Sequence, residues 1–369
     1  MCIPQSGYAW GFWAHQRINR LAVFTLPPEM LVLYKKHMSY LTEHAVDPDK
    51  RRYAVDGEAA HHYIDIDHYG TYPYENVPRY WDDAVKKLTA DTLEAFGVLP
   101  YHVPTVVYRL KKAFENQDLA RIMKISADLG HYIGDAHVPL HTTENYNGQL
   151  TGQKGIHGFW ESRLPELFGS EYDFFVGKCY YVEDLYMETW DIVMESHIRL
   201  DSVLGGEAEL NADFPKDKKY GYESRNNVVV RTYSRDYSTA YHELLNGMVE
   251  RRMQASIRRV GAYWYTAWRL AGSPDLSALA NQKLEAKPQK YKKRFKILDR
   301  EAQSIGLLLG DGCCCRPKAQ PFGLARTLSC VQEAPAWALA QEEEEREVAP
   351  ATKDPWYAPL KLFANRWLW

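Results

Sequence analysis

The chain has 369 residues, 46% hydrophobic and 25% charged, with a formal charge of −3. That length suits one large domain or two modest ones and is ample for a buried core. No apolar run approaches the roughly 18 residues that a membrane-spanning helix needs. Near-neutral charge argues against a protein that grips duplex nucleic acid by phosphate neutralisation alone, so no stable duplex complex is expected.

Residues 1–9 are too short and polar for a signal peptide, lacking a basic start and an apolar middle. Gly7 and Ala9 still place small residues ahead of a possible cleavage before Trp10, so two readings stand: the remnant of a truncated export signal, or a plain leader. From Ile18 to about Gly272 the pattern is mainly helical. Pro27 and Pro28 open a segment with a stripe at Met30, Leu33, Tyr34, His37, Met38 and Leu41. Trp81, Ala84, Val85 and Leu88 mark a second segment, and Val106, Val107, Leu110, Ala113 and Phe114 a third. A fourth runs from Asp118 to about Asp135, a long one spans about Val182 to Leu204, and another about Ser238 to Leu270, stopped by Gly272. Alternating strand patterns are scarce, so the fold class is all-α, a single mainly helical domain over 10–283. Two long loops, His44 to Asp67 and Leu140 to Ile156, interrupt it, and loops of that length are uncommon without a function. Residues 284–369 shift in composition, with a basic stretch Lys287 to Lys296, the triplet Cys313 to Cys315 and the run Glu342 to Glu345. They are expected to be a weakly structured tail, disordered in part. Between Cys2 and Cys313 the only cysteine is Cys179, so the body has no internal disulfides.

The chemistry-bearing segment is His131-Tyr-Ile-Gly-Asp135, then Pro139-Leu-His141, then His157-Gly-Phe-Trp-Glu161. His131 and Asp135 are one helical turn apart on one face, and His157 and Glu161 repeat the spacing. Imidazole and carboxylate so placed make a clip for zinc, which takes His nitrogen and carboxylate oxygen. Pro139 breaks the first helix and lets His141 return toward the same centre. Upstream, His62-Tyr-Ile-Asp65, the acidic turn Asp47-Pro-Asp49 and His15 add further donors. Taken singly, such a pair is more often a solvated helix pair worth roughly 0.3 kcal/mol; the sum of the segments points to metal.

As an ordered set these residues resemble the superfamily that joins zinc-dependent phospholipase C with the fungal single-strand-specific nucleases. The resemblance runs from Trp10-Gly11 and His15 through Asp47, His62-Tyr-Ile-Asp65, His131 to Asp135 and Pro139-Leu-His141 to His157 and Glu161, about residues 10 to 270. It implies a mainly α-helical domain and up to three zinc ions in a cleft. Asp47, His62, His131 and Asp135 would hold one ion, His141, His157 and Glu161 a second, and Trp10 through its amino group, with His15 and the shared Asp135, a third. Asp49 competes with Asp47 for the first slot. Asp135 as the shared carboxylate, and Asp47 or, in its place, Asp49 as the group orienting water, are the residues implicated in catalysis. Asp65 is expected to hold an imidazole in its tautomer. A ligating amino group at Trp10 requires removal of residues 1–9, which favours an exported, periplasmic or extracellular protein, with the cytoplasm left open.

The substrate is a phosphoester, either single-stranded nucleic acid or phospholipid. The stretch His157 to Pro165 leans toward a nuclease-like phosphodiesterase, with Tyr63, Tyr69, Tyr72 and Tyr74 as a base-stacking pocket or, alternatively, as packing of their own loop. Glu161 in the last ligand position points the other way, to phospholipase C. A third reading is a non-catalytic binding protein that keeps metal for folding, although three ligands in one site leave room for water. Nothing in the sequence marks an oligomer interface.

Overall fold

The computed structural model describes residues 11–225 and 228–284; the leader, Trp10 and the tail lie outside them. In chain order the helices are α1 (Phe12–Ala22), α2 (Pro28–Lys36), α3 (Met38–Glu43), α4 (Asp47–Arg51), α5 (Trp81–Leu88), α6 (Ala90–Phe96), α7 (Leu99–Glu115), α8 (Leu119–Ala136), α9 (Ile156–Gly158), α10 (Leu164–Phe168), α11 (Leu185–His197) and α12 (Leu200–Asp213). A hairpin of β1 (Tyr220–Arg225) and β2 (Val228–Tyr233) follows, then α13 (Arg235–Leu244), α14 (Met248–Leu270) and α15 (Ser277–Ala280). None of these helices is long and apolar enough to cross a membrane.

Helix α8 is the axis of the fold. Asp118 caps it by accepting the Arg121 amide, and every residue from Ser126 to Ala136 is buried. Two of its neighbours are tied to it by polar contacts that the core would otherwise exclude. The indole of Trp264 on α14 donates to the Ser126 carbonyl at 2.9 Å, and the Tyr34 hydroxyl on α2 meets Ser126 Oγ at 2.8 Å. Helix α1 is tied to it as well, with Asn19 Nδ2 donating to the Ala127 carbonyl at 3.0 Å. Gly130 makes this approach possible, because a Cβ there would lie 2.0 Å from Asn19 Oδ1. Burial of this kind, rather than helix propensity, fixes where α8 lies.

The periodicity misjudges three breaks. The stripe from Met30 to Leu41 divides at His37 into α2 and α3, and the run from Val182 to Leu204 divides at Ile198–Arg199. The run from Ser238 to Leu270 divides because Asn246 (φ 47°) and Gly247 (φ 70°) are left-handed, a conformation that ends α13 and restarts the chain as α14. The hairpin escapes the sequence reading altogether. Its signal was present in Val228-Val-Val-Arg-Thr-Tyr233, a β-branched run following two asparagines. The strands pair antiparallel with Tyr220 opposite Tyr233 and Arg225 opposite Val228. The expected tail and the triple Cys fall outside the described residues.

Candidate metal centre

Six segments of the chain meet at the C-terminal end of α8. His131 and Asp135 come from α8 itself and His15 from the first turns of α1. Asp49 comes from α4 and His62 from the end of a 3₁₀ turn over Glu58–His62. After α8 the chain turns at Pro139, and His141 lies in a 3₁₀ turn over Pro139–Thr142. His157 is in α9, and Glu161 follows in a single π turn over Phe159–Arg163, a departure from α geometry often found at functional sites. All eight side chains are buried.

Asp135 is the hinge of the arrangement. Its Oδ2 lies 2.8 Å from His62 Nδ1 and 3.2 Å from His131 Nε2, while Oδ1 lies 3.3 Å from His15 Nε2 and 3.9 Å from His141 Nδ1. One carboxylate therefore faces imidazoles on both sides. Asp49 Oδ1 sits 3.6 Å from His131 Nε2 and 3.9 Å from His62 Nδ1. On the far side, Glu161 is 3.1 Å from His157 Nε2 and 3.5 Å from His141 Nε2. Three groupings could each hold an ion: His15 with Asp49 and His131, His62 with His131 and Asp135, and His141 with His157 and Glu161.

The imidazoles are aimed by the main chain. His131 Nδ1 donates to the Ala45 carbonyl at 2.8 Å, His157 Nδ1 to that of Tyr146 at 3.0 Å, and His141 Nδ1 to that of His62. Each bond selects the tautomer that leaves Nε2 bare toward the cluster. The sequence reading assigned this work to a carboxylate such as Asp65. Asp65 is buried, with its amide donating to the Phe96 carbonyl at 2.7 Å, but three of the rings have carbonyls as their acceptors because neighbouring loops pack directly against them.

The two candidates for the first slot separate clearly. Asp47 points away from the cluster, accepting from Lys50 Nζ at 2.9 Å and from His44, while Asp49, two residues on, turns inward with no exposed surface. Asp49 rather than Asp47 therefore stands in a grouping that could hold an ion, since residues two apart on a helix face opposite ways. Trp10 lies outside the described residues. Its neighbour Gly11 donates its amide to the Glu161 carbonyl at 3.2 Å, so the start of the described chain borders the cluster.

Charge and burial set the protonation states. Burial pushes His15 down to about 4, with His131 adding to the effect, and burial pushes His62 down to about 3 despite Asp135. His131 goes the other way, to about 9, because Asp135 and Asp49 outweigh its burial. His131 and His141 likewise outweigh burial at Asp135 and hold it well below the usual carboxylate range, and His157 and His141 lower Glu161 against its own burial. Zinc requires neutral imidazoles beside ionised carboxylates: burial already holds His15 and His62 neutral, whereas His131 must give up a proton to ligate. Several donors are poorly met: His15 Nε2 has only Asp135 Oδ1 at 3.3 Å, His141 Nε2 only Glu161 Oε2 at 3.5 Å, and His15 Nδ1 has no hydrogen bond. Unmet polar atoms at such depth each cost about 1–3 kcal/mol, and bound cations at the negative end of α8 would relieve that cost. The residues fit the ions.

Comparison with known proteins identifies the family. The family described as zinc dependent phospholipase C matches residues 14–243, well over half of the chain, and that span contains all eight of these side chains. The chain belongs to this family. It is accordingly a zinc-dependent phosphoesterase hydrolase with a mainly α-helical fold. No curated protein matches the chain. Among solved structures, the alpha-toxin of Clostridium perfringens from avian strain SWCP is similar, at 13% identity over 74% of this chain and 68% of its own, with a TM-score of 0.41.

The sequence reading missed the groups behind His62. Glu58 accepts from the Tyr132 hydroxyl at 2.5 Å and from Arg51 Nη2 at 3.2 Å, and Arg51 Nη1 also donates to Asp128 at 3.1 Å. The clue was available, because Glu58 and His62 stand at the same four-residue spacing as the two recognised clips. Arg163 was missed as well. It sits in the turn of Glu161, donates to Glu223 of β1 at 2.7 Å and to the Tyr233 carbonyl at 3.1 Å, and so pins the hairpin to the metal centre.

Proposed function

We propose that the chain hydrolyses phospholipids as a phospholipase C, freeing the phosphorylated head group from diacylglycerol, with three zinc ions held by the eight converging side chains and by Trp10. The observation that carries this reading is Asp135, whose two oxygens are shared among four imidazoles and suit a carboxylate common to more than one ion. When bound, zinc lowers the pKa of water toward 7 and neutralises charge on the phosphoryl oxygens. The chain's own contribution is placement. Main-chain carbonyls fix three imidazoles, the buried carboxylate of Asp49 is placed to accept a proton from the attacking water, and burial excludes competing solvent. Water attacks phosphorus, the bond from phosphorus to the glycerol oxygen breaks, and that oxygen takes up a proton.

Phospholipid is preferred over single-stranded nucleic acid on two grounds. The family match favours it, and the tyrosines expected to stack bases do not offer themselves as a pocket. Tyr63 is 3% exposed and Tyr74 7%, and Tyr69 packs against the core, which leaves Tyr72 as the open ring. Removal of residues 1–9 and export belong to the same reading, because only a free amino group at Trp10 can ligate. The deciding experiment offers zinc-loaded protein, with and without residues 1–9, phosphatidylcholine vesicles, single-stranded DNA and RNA side by side. Release of phosphocholine with both nucleic acids intact is the expected result, and more zinc per chain in the trimmed form. Cleavage of nucleic acid with no phosphocholine would overturn the substrate assignment. Bound zinc without turnover on any substrate would instead favour the metal-stabilised binding protein.

A further inference from the structure

His62 is oriented unlike the other imidazoles. Its Nδ1 faces the cluster, 2.8 Å from Asp135 Oδ2 and 3.1 Å from His131 Nε2, so its Nε2 points backward. That nitrogen is buried, makes no hydrogen bond and lies 3.9 Å from Glu58 Oε1. No main-chain carbonyl takes the role that Ala45, His62 and Tyr146 play for the other rings. Glu58 is itself held from two directions. Tyr132, the residue after His131 on α8, donates to its Oε1, and so does Arg51, which follows Asp49 on α4. Asp128, one turn back on α8, anchors Arg51 in turn. The carboxylate thus touches or faces all three segments that supply His62, Asp49, and His131 with Asp135.

We propose that Glu58 is a positioning residue of the metal centre, receiving the backward N–H of His62 and locking together the three segments that ligate one ion. The proposal rests on the reading of His62 as a zinc ligand. Binding a cation at Nδ1 polarises the ring and strengthens donation from Nε2, so the carboxylate gains its partner when the ion arrives. Arg51 and Tyr132 keep Glu58 in place in the metal-free chain, which means the site is preorganised before zinc binds.

The test is Glu58→Gln in the full chain, with zinc affinity measured by chelator competition and zinc content by mass spectrometry, alongside kcat and KM. Outer groups of this kind typically contribute 10–100-fold in metal affinity, so one ion should bind about 10–100-fold more weakly. With zinc in excess, turnover should recover and KM should stay near wild type. If Glu58→Gln does not fold, Tyr132→Phe carries the same test more gently, since it removes the hydroxyl that holds Oε1 without changing charge. It should weaken the same ion several-fold. Zinc affinity within twofold of wild type in the folded variant would overturn the proposal, whatever happens to thermal stability. A wild-type chain that takes up zinc but hydrolyses nothing would count against the proposed function and leave this inference standing, whereas one that takes up no zinc would overturn both.

Discussion

Asp47 and Asp49 are two residues apart, equally acidic and equally eligible from sequence, yet they should behave as opposites when each is changed to asparagine. Asp47 accepts from Lys50 and His44, and its side chain is 16% exposed against 40% for Lys50. Ion pairs of that exposure contribute about 0.2–1 kcal/mol each, so Asp47→Asn should cost at most about 2 kcal/mol of stability. In a domain of this size that lowers Tm by about 2–4 °C per kcal/mol. Zinc content and turnover should remain within about twofold of wild type, because Asp47 stands in none of the groupings that could hold an ion. Asp49 is fully buried, with Oδ1 3.6 Å from His131 Nε2, 3.9 Å from His62 Nδ1 and 3.8 Å from Arg52 Nη1. Asparagine there keeps the shape but removes both the charge and the proton acceptor. A positioned base contributes about 10²–10⁴-fold, or about 3–5 kcal/mol of barrier, and loss of a zinc ion would add to that. Metal-free Asp49→Asn should nonetheless fold, since the substitution takes a charge out of the interior. The assay is phosphocholine release at saturating zinc, read beside zinc content and thermal unfolding. Retained turnover in Asp49→Asn together with lost turnover in Asp47→Asn would refute the placement of α4 and with it the first grouping.

Zinc uptake should release protons. His131 has a pKa near 9 in the metal-free chain but must be neutral to ligate, so binding at about pH 7.5 should free about one proton from this residue. Uptake without acidification of a dilute indicator solution would contradict it. The sign for stability runs the same way: raised from 6.5 to about 9, His131 stabilises the metal-free fold fully below about pH 6.5, and that contribution disappears as pH rises through 9. Glu195 gives the opposite slope. Arg259 and Arg252 outweigh its burial and hold it at about 2 against an ordinary 4.5, so its contribution is present above pH 4.5 and lost as pH falls toward 2. With its side chain 38% exposed, solvent screening reduces the effect to about 1 kcal/mol, and Glu195→Gln should flatten the acid limb of a denaturation series by that amount. Gly130→Ala places a methyl 2.0 Å from Asn19 Oδ1 and should destabilise the contact of α1 with α8 by about 1–3 kcal/mol; a rise in Tm would show that the helices can separate freely.

Much of the centre is legible from spacing. His131 with Asp135 and His157 with Glu161 declare themselves because a helix returns to the same face every four residues, and Pro139 announces the turn that brings back His141. The limits of α8 were equally readable from the Asp118 cap. Other features were lost for identifiable reasons. The break between α13 and α14 depends on two left-handed residues inside a continuous apolar stripe, and the hairpin of β1 and β2 is a short excursion within a helical background. Glu58 escaped notice because an i, i+4 pair carries no meaning until its neighbours Arg51 and Tyr132 are seen to hold it.

The linear order of residues determined the kinds of donor, the two clips and the helical class, because each follows from chemistry repeated over a few positions. Only the folded arrangement decided that Asp49 and not Asp47 turns inward, that Asp135 faces both sides of the cluster, and that main-chain carbonyls aim three of the rings. Those choices belong to contacts between segments as distant as His15, His62 and Glu161, whose meeting is set by how α1, α8 and α14 bury one another and by nothing within any one stretch.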